Sequence, residues 1–104
     1  MATTSKTLFR GAASTSSTTL YTVPTTSTTT VVTDILVTNT GASDGTFSLL
    51  IDDVSIATTV TVGSFDTTSI SLKQVIPANA TPKTIKGLAS ATSINFHISG
   101  VEIV

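Results

Sequence analysis

The chain has 104 residues, of which 24 are Thr and 14 Ser, while only 11 carry a charge and the net charge is −1. The absence of cysteine excludes disulfides, thiolate metal sites and a Cys nucleophile, and five cations against six anions exclude the basic footprint of a nucleic-acid binder. No run approaches the ~18 apolar residues of a membrane span, and Met1 to Lys6 lacks the apolar stretch of a signal peptide, so neither a membrane partner nor a secretory leader is expected.

Leu, Ile, Val and Phe together supply 30 residues, above the roughly 20% below which a highly charged chain stays disordered. Val, Ile and Thr number 43. β-branched side chains lose χ1 freedom in a helix but pack well on a pleated surface, so one all-β domain is expected at this length.

In chain order, residues 1–17 are rich in Ser, Thr, Ala and Gly around one apolar cluster, Leu8-Phe9-Arg10. They read as a flexible N-terminal arm whose anchor is that cluster, with the domain proper over 18–104. Thr18 to Val23 reads as a short strand stopped by Pro24, which has no N–H for a ladder. Thr29 to Asn39 is the longest β-like run, with Val31, Ile35 and Val37 on one face and Val32, Leu36 and Thr38 on the other. Apolar groups on both faces predict a strand covered on both sides.

Asn39 to Gly45 is dense in turn formers and predicts a hairpin. Phe47, Leu49 and Ile51 then alternate with Thr46, Ser48, Leu50 and Asp52, polar but for Leu50, and Asp52-Asp53 makes the next turn. Val54, Ile56, Thr58, Val60 and Val62 share one parity, and after a break at Gly63 to Asp66 the run resumes at Thr68, Ile70, Leu72, Gln74 and Ile76. Pro77 to Pro82 is a loop, Thr84 to Leu88 a short strand, and Ala89 to Thr92 a turn. In the last segment Ile94, Phe96 and Ile98 share a face, but beyond Gly100 the apolar parity moves to Val101 and Ile103, which predicts a β-bulge at Gly100, where a glycine can take φ > 0. Seven or eight strands in series predict a single antiparallel β-sandwich, jelly-roll-like. Its expected core is Ile35, Val37, Phe47, Leu49, Ile51, Ile70, Leu72, Ile94, Phe96 and Ile98.

Chemistry-bearing patterns are sparse. His97 is the only histidine, so it forms no His cluster, and no G-x-S-x-G elbow accompanies it; it reads as a polar-face residue. Asp52 and Asp53, with Asp44 and Asp66, are acidic loop residues that could hold Ca²⁺, but no D-x-D-x-D-G loop is present and the plain reading is turn residues. Glu102 is the only glutamate, so no carboxylate pair for acid–base work is signalled. Asn79-Ala80-Thr81 matches a glycosylation acceptor without a secretory context. A non-enzymatic protein without cofactor or metal is expected.

The segments Thr19-Leu-Tyr-Thr-Val-Pro24, Thr29-Thr-Val-Val-Thr-Asp-Ile-Leu-Val-Thr-Asn39 and Ile94-Asn-Phe-His-Ile-Ser-Gly-Val-Glu-Ile103 resemble small virion structural proteins of tailed bacteriophages, over about residues 18–104. The resemblance implies a structural protein of the virion, assembled in the host cytoplasm. Head decoration (cement) on the phage capsid comes first. A tail fibre, collar or baseplate module, with receptor or carbohydrate binding, is the alternative. Its implied partners are the major capsid protein or other virion proteins and copies of itself, a trimer by analogy. Leu8, Phe9 and Arg10 would be the partner-binding part of an arm that orders on assembly.

Overall fold

A computed structural model describes residues 2–104, and the described residues form eight strands and no helix. The strands are β1 (Thr3–Ala12), β2 (Thr18–Thr22), β3 (Thr29–Asn39), β4 (Gly45–Ile51), β5 (Val54–Val62), β6 (Thr67–Pro77), β7 (Thr84–Ala89) and β8 (Ile94–Ile103). One sheet has the order β1-β8-β3-β6 and the other β2-β7-β4-β5, and every pairing is antiparallel. The pairings β1/β8, β2/β7, β3/β6 and β4/β5 are nested about the turn at Asp52-Asp53, so the chain is a long hairpin folded at its midpoint and rolled into two layers. That is the jelly-roll topology.

The midpoint turn follows from its residues. Asp52 and Asp53 have φ of 54° and 59°, the two left-handed positions of a type I′ hairpin, which short polar side chains tolerate. Their charges are matched across the turn by Lys83, 3.1 Å from Asp52, and Lys86, 2.8 Å from Asp53.

Alternate residues of both sheets face inward and fill the space between them. Eight of the ten expected core residues are buried; Ile70 and Leu72, on the edge strand β6, are half-buried and pack against the rest. Phe47 and Phe96 meet across the layers edge to face, with ring centroids 6.1 Å apart. Asn39 is buried at one end, yet all its hydrogen-bonding capacity is used: Nδ2 donates to the Ser43 and Val62 carbonyls, and Oδ1 accepts from Gly41 N–H and Ser93 Oγ.

Four expectations are corrected. Residues 3–12, read as arm, form β1, because Leu8 and Phe9 find their apolar surface on this chain's own β8. Asn39 to Gly45 is no hairpin, since β3 and β4 lie in opposite sheets and the segment carries the chain between them. In β3 the register against β8 shifts at Thr33, which flips parity: Val32 is buried with Ile35 and Val37, while Val31 faces outward. In β5 an extra residue at Thr58-Thr59 opposes Ser48, with Thr59 at φ 48° and its N–H bonded to Ser48 Oγ at 2.9 Å, so Ala57 and Val62 are buried while Val54 and Ile56 are exposed.

Gly100 also differs from expectation. It has no positive φ, and β8 keeps one inward parity through Ile94, Phe96, Ile98 and Gly100. The bulges sit on its two neighbours, at Thr33 of β3 beside the Ser99–Gly100 step and at Leu8 of β1 beside the Ile98–Ser99 step. Glycine is required there for space: a Cβ would lie 2.3 Å from the Val31 carbonyl oxygen and 3.0 Å from Leu8 Cδ1. The apparent parity change arises because the next inward residue is a glutamate.

Candidate functional site

Past Gly100 the inner faces of the two sheets turn polar. Glu102 of β8 is the hub: its carboxylate accepts from Lys6 Nζ of β1, 3.2 Å from each oxygen, and from Tyr21 Oη, which reaches across from β2 in the opposite sheet. Because the tyrosine hydroxyl donates to Glu102, the Thr30 hydroxyl 2.9 Å away donates to it. Three strands therefore meet at one carboxylate, and Thr30 joins a fourth, β3, through the Tyr21 hydroxyl. Burial pushes the Tyr21 phenol up to about 12, helped by the neighbouring Glu102 charge, and the hydrogen bond from Tyr21, then Lys6, holds the Glu102 carboxyl below the usual carboxylate range. A phenol held protonated and a carboxylate held ionised exchange no proton near neutrality, so the cluster fastens the sandwich and offers no general acid or base.

The other face of the β1-β8-β3-β6 sheet is open. Register places Ser5, Val101, Val31 and Val75 in one row across its four strands, followed by the row Thr3, Ile103, Thr29 and Pro77. Val75 is 63% exposed and Val101 and Val31 are half-buried, so the row is an apolar ridge on the outer surface. Beside it the paired bulges leave a shallow hollow of about 360 Å³ lined by hydroxyls, Ser5, Thr7, Thr33 and Ser99, around Gly100. Nearer the other end Arg10, His97, Leu36 and Ser69 form a further row. His97 thus lies on the polar outer face, between an arginine and a leucine.

Of the three residues expected to bind a partner, Leu8 is buried, Phe9 is half-buried against the core, and Arg10 is exposed beside His97. The acidic loop residues do not converge. Asp52 and Asp53 are paired with lysines, while Asp44 accepts from Ser64 N–H at 2.9 Å and Asp66 from Thr67 N–H at 2.8 Å. Among the described residues no three His, Asp or Glu side chains gather as metal ligands, and no helix is long and apolar enough to cross a membrane. Asn79 Oδ1 accepts from Thr81 N–H and closes a local turn. Of the five aromatic side chains Phe65 alone is strongly exposed, at 74%. Sequence reasoning missed the Tyr21–Glu102 link, whose partners are 81 residues apart. The available signal was a lone glutamate at inward parity in the last strand.

No protein-family model matches the chain, and no curated protein sequence matches it significantly. Solved structures do. A chain in the structure of infectious bursal disease virus Gx strain superposes with a TM-score of 0.58 at 15% identity, over 97% of this chain and 30% of the viral one. A chain of the T13 viral particle of the same virus gives 0.57 at 12% identity, over 98% and 30%. This protein thus spans under a third of the length of those chains, and what they share with it, over nearly its whole extent, is the fold: a jelly roll that also occurs in an icosahedral virus particle.

Proposed function

We propose that the protein is a non-enzymatic structural subunit of a virion, and specifically a head-decoration protein of a tailed phage that packs in many copies on the capsid. The observation that carries this reading is the nested jelly-roll topology, shared over almost the full chain with chains of a virus particle. Three features support it. The surface is close to neutral, and like-charge repulsion does little to keep copies apart. The Val101–Val31–Val75 ridge is apolar surface of the kind that subunit contacts cover. The polar clusters are saturated internally, which leaves packing and hydroxyl contacts for assembly. Partners would be the major capsid protein and neighbouring copies, in trimers by analogy.

The tail fibre, collar or baseplate module is the second reading, and the integration of β1 into the sandwich favours it, because a strand held in the chain's own sheet is not free to clamp a capsid lattice. Copy number separates the two. Quantitative gel analysis of purified particles, calibrated against the major capsid protein, should show a subunit ratio near that of the shell for decoration and only a few copies per particle for a tail module. Absence of the protein from purified particles would overturn both.

A further inference from the structure

We infer that β1 is an exchangeable strand: its place beside β8 accepts the β1 of a second copy of this chain as well as its own. The inference deepens the assembly reading above, which it uses only to supply many copies at high local concentration. β1 is an edge strand whose one ladder partner is β8, from the opposite end of the chain. Thr3 to Thr7 bury no side chain, and what seats the strand is a short set of contacts between it and β8. Leu8 bulges out of register over the notch left by Gly100, close enough that a Cβ there would lie 3.0 Å from it; Phe9 packs opposite Ile98; Lys6 pairs with Glu102. Ala13 N–H adds a bond of 2.8 Å to the Ile94 carbonyl.

These contacts also identify the occupant. The slot requires a leucine displaced by one residue over a glycine, an aromatic ring one step on, and a cation two residues before the leucine. The sequence known to meet all three in register is β1 itself. Thr15 to Ser17, between β1 and β2, are exposed and polar, so they form a pivot of three residues with a reach of about 10 Å when extended. Exchange swaps identical contacts between copies, so its free energy depends only on the pivot, the association entropy and any new surface brought together; short connections of this kind favour it at high concentration.

The test uses the register partners Ser5 and Val101, both on the outer face, in a chain that has no cysteine. The full-length single variants Ser5→Cys and Val101→Cys are refolded together in equal amounts over a range of concentrations and oxidised, and cross-linked peptides are identified by mass. Neither variant can close a disulfide within itself, so a link from position 5 of one chain to position 101 of another reports β1 seated on a neighbour's β8. The expected result is that link, its yield per chain rising roughly tenfold for a tenfold rise in concentration while the exchanged dimer is the minor species. Only 5-to-5 and 101-to-101 links, or none, while the double variant Ser5→Cys/Val101→Cys closes its own bond, would overturn exchange. A double variant that closes no bond within or between chains would overturn the register on which it stands. Failure of exchange leaves particle copy number untouched, and absence from particles leaves the cross-link untouched, so the two readings fail separately.

Discussion

Two residues at the end of β8 show how a local pattern is fixed by what surrounds it. Gly100 has ordinary dihedrals, and its constraint is the Val31 carbonyl oxygen 2.3 Å from where a Cβ would stand. Gly100→Ala should therefore cost about 3 kcal/mol, the upper part of the usual overpacking range because the obstacle is backbone. A denaturation midpoint equal to that of the parent would show that the strands part without cost. Glu102 sets a pH signature. Its folded pKa lies below the ordinary 4.5, so its contribution is complete above that value and is lost as pH falls through the folded value. Tyr21 works in the opposite direction: with its pKa raised from 10.0 to about 12, its contribution is complete below pH 10 and is lost as pH rises toward 12. Glu102→Gln should lower stability at neutral pH by about 1–3 kcal/mol and flatten the acid limb of a stability-versus-pH curve. Tyr21→Phe should flatten the alkaline limb. An acid limb unchanged in Glu102→Gln would remove the carboxylate from the account.

At the scale of the strand, the bulge in β5 carries the clearest local strain. Thr59 is β-branched and sits at φ 48°, where such a residue is disfavoured by about 1–2 kcal/mol. Thr59→Gly removes that penalty, keeps the backbone N–H bond to Ser48 Oγ, and adds back part of the gain as chain entropy in the unfolded state. Thermal unfolding should show a net stabilisation of about 0.5–1 kcal/mol; a destabilised variant would mean that the threonine side chain earns its place by packing. The same bulge explains what the sequence concealed. Periodicity located β2 through β8 and the centre of the core, eight of its eighteen buried hydrophobic residues, because the buried residues of β4 and most of β8 keep one phase throughout. It misassigned Val31 and Val32, and Val54 and Ile56, because one extra residue at Thr33 or Thr59 reverses every side chain on one side of it. β1 left no periodic signal, since its outer half is entirely polar and its one buried side chain, Leu8, sits at a bulge. The Tyr21–Thr30–Glu102–Lys6 cluster depends on contacts between distant strands, and its one local trace is the lone glutamate at inward parity in β8.

Over the whole molecule, β1 is a component of the core and not an appendage to it. Leu8 contributes about 1.5–3 kcal/mol by burial and the half-buried Phe9 a smaller share, set against a total stability of about 5–15 kcal/mol for a domain. Deleting residues 1–12 should consequently leave a chain that is marginally folded, with a strongly lowered melting temperature by circular dichroism. A truncated protein that melts like the full chain would restore the view of this segment as a separable arm. Its polar outer half and single ladder partner place it among the weaker parts of the structure, where local opening is least costly.

The nested pairing about Asp52-Asp53 also has a temporal meaning. Joining β1 to β8 in an otherwise disordered chain closes a loop of nearly the full length, but once β4/β5 and β3/β6 have formed, each remaining pair has only a short gap left to close. Folding is expected to start at the mid-chain turn and run outward, with the two ends of the described chain, where Ala2 and Val104 exchange backbone hydrogen bonds, meeting last. Refolding and unfolding rates measured across denaturant would register this order: Asp53→Pro, which cannot hold φ 59°, slows refolding, while Leu8→Ala leaves refolding nearly unchanged and speeds unfolding. The last strand to arrive in such a sequence is the first to leave.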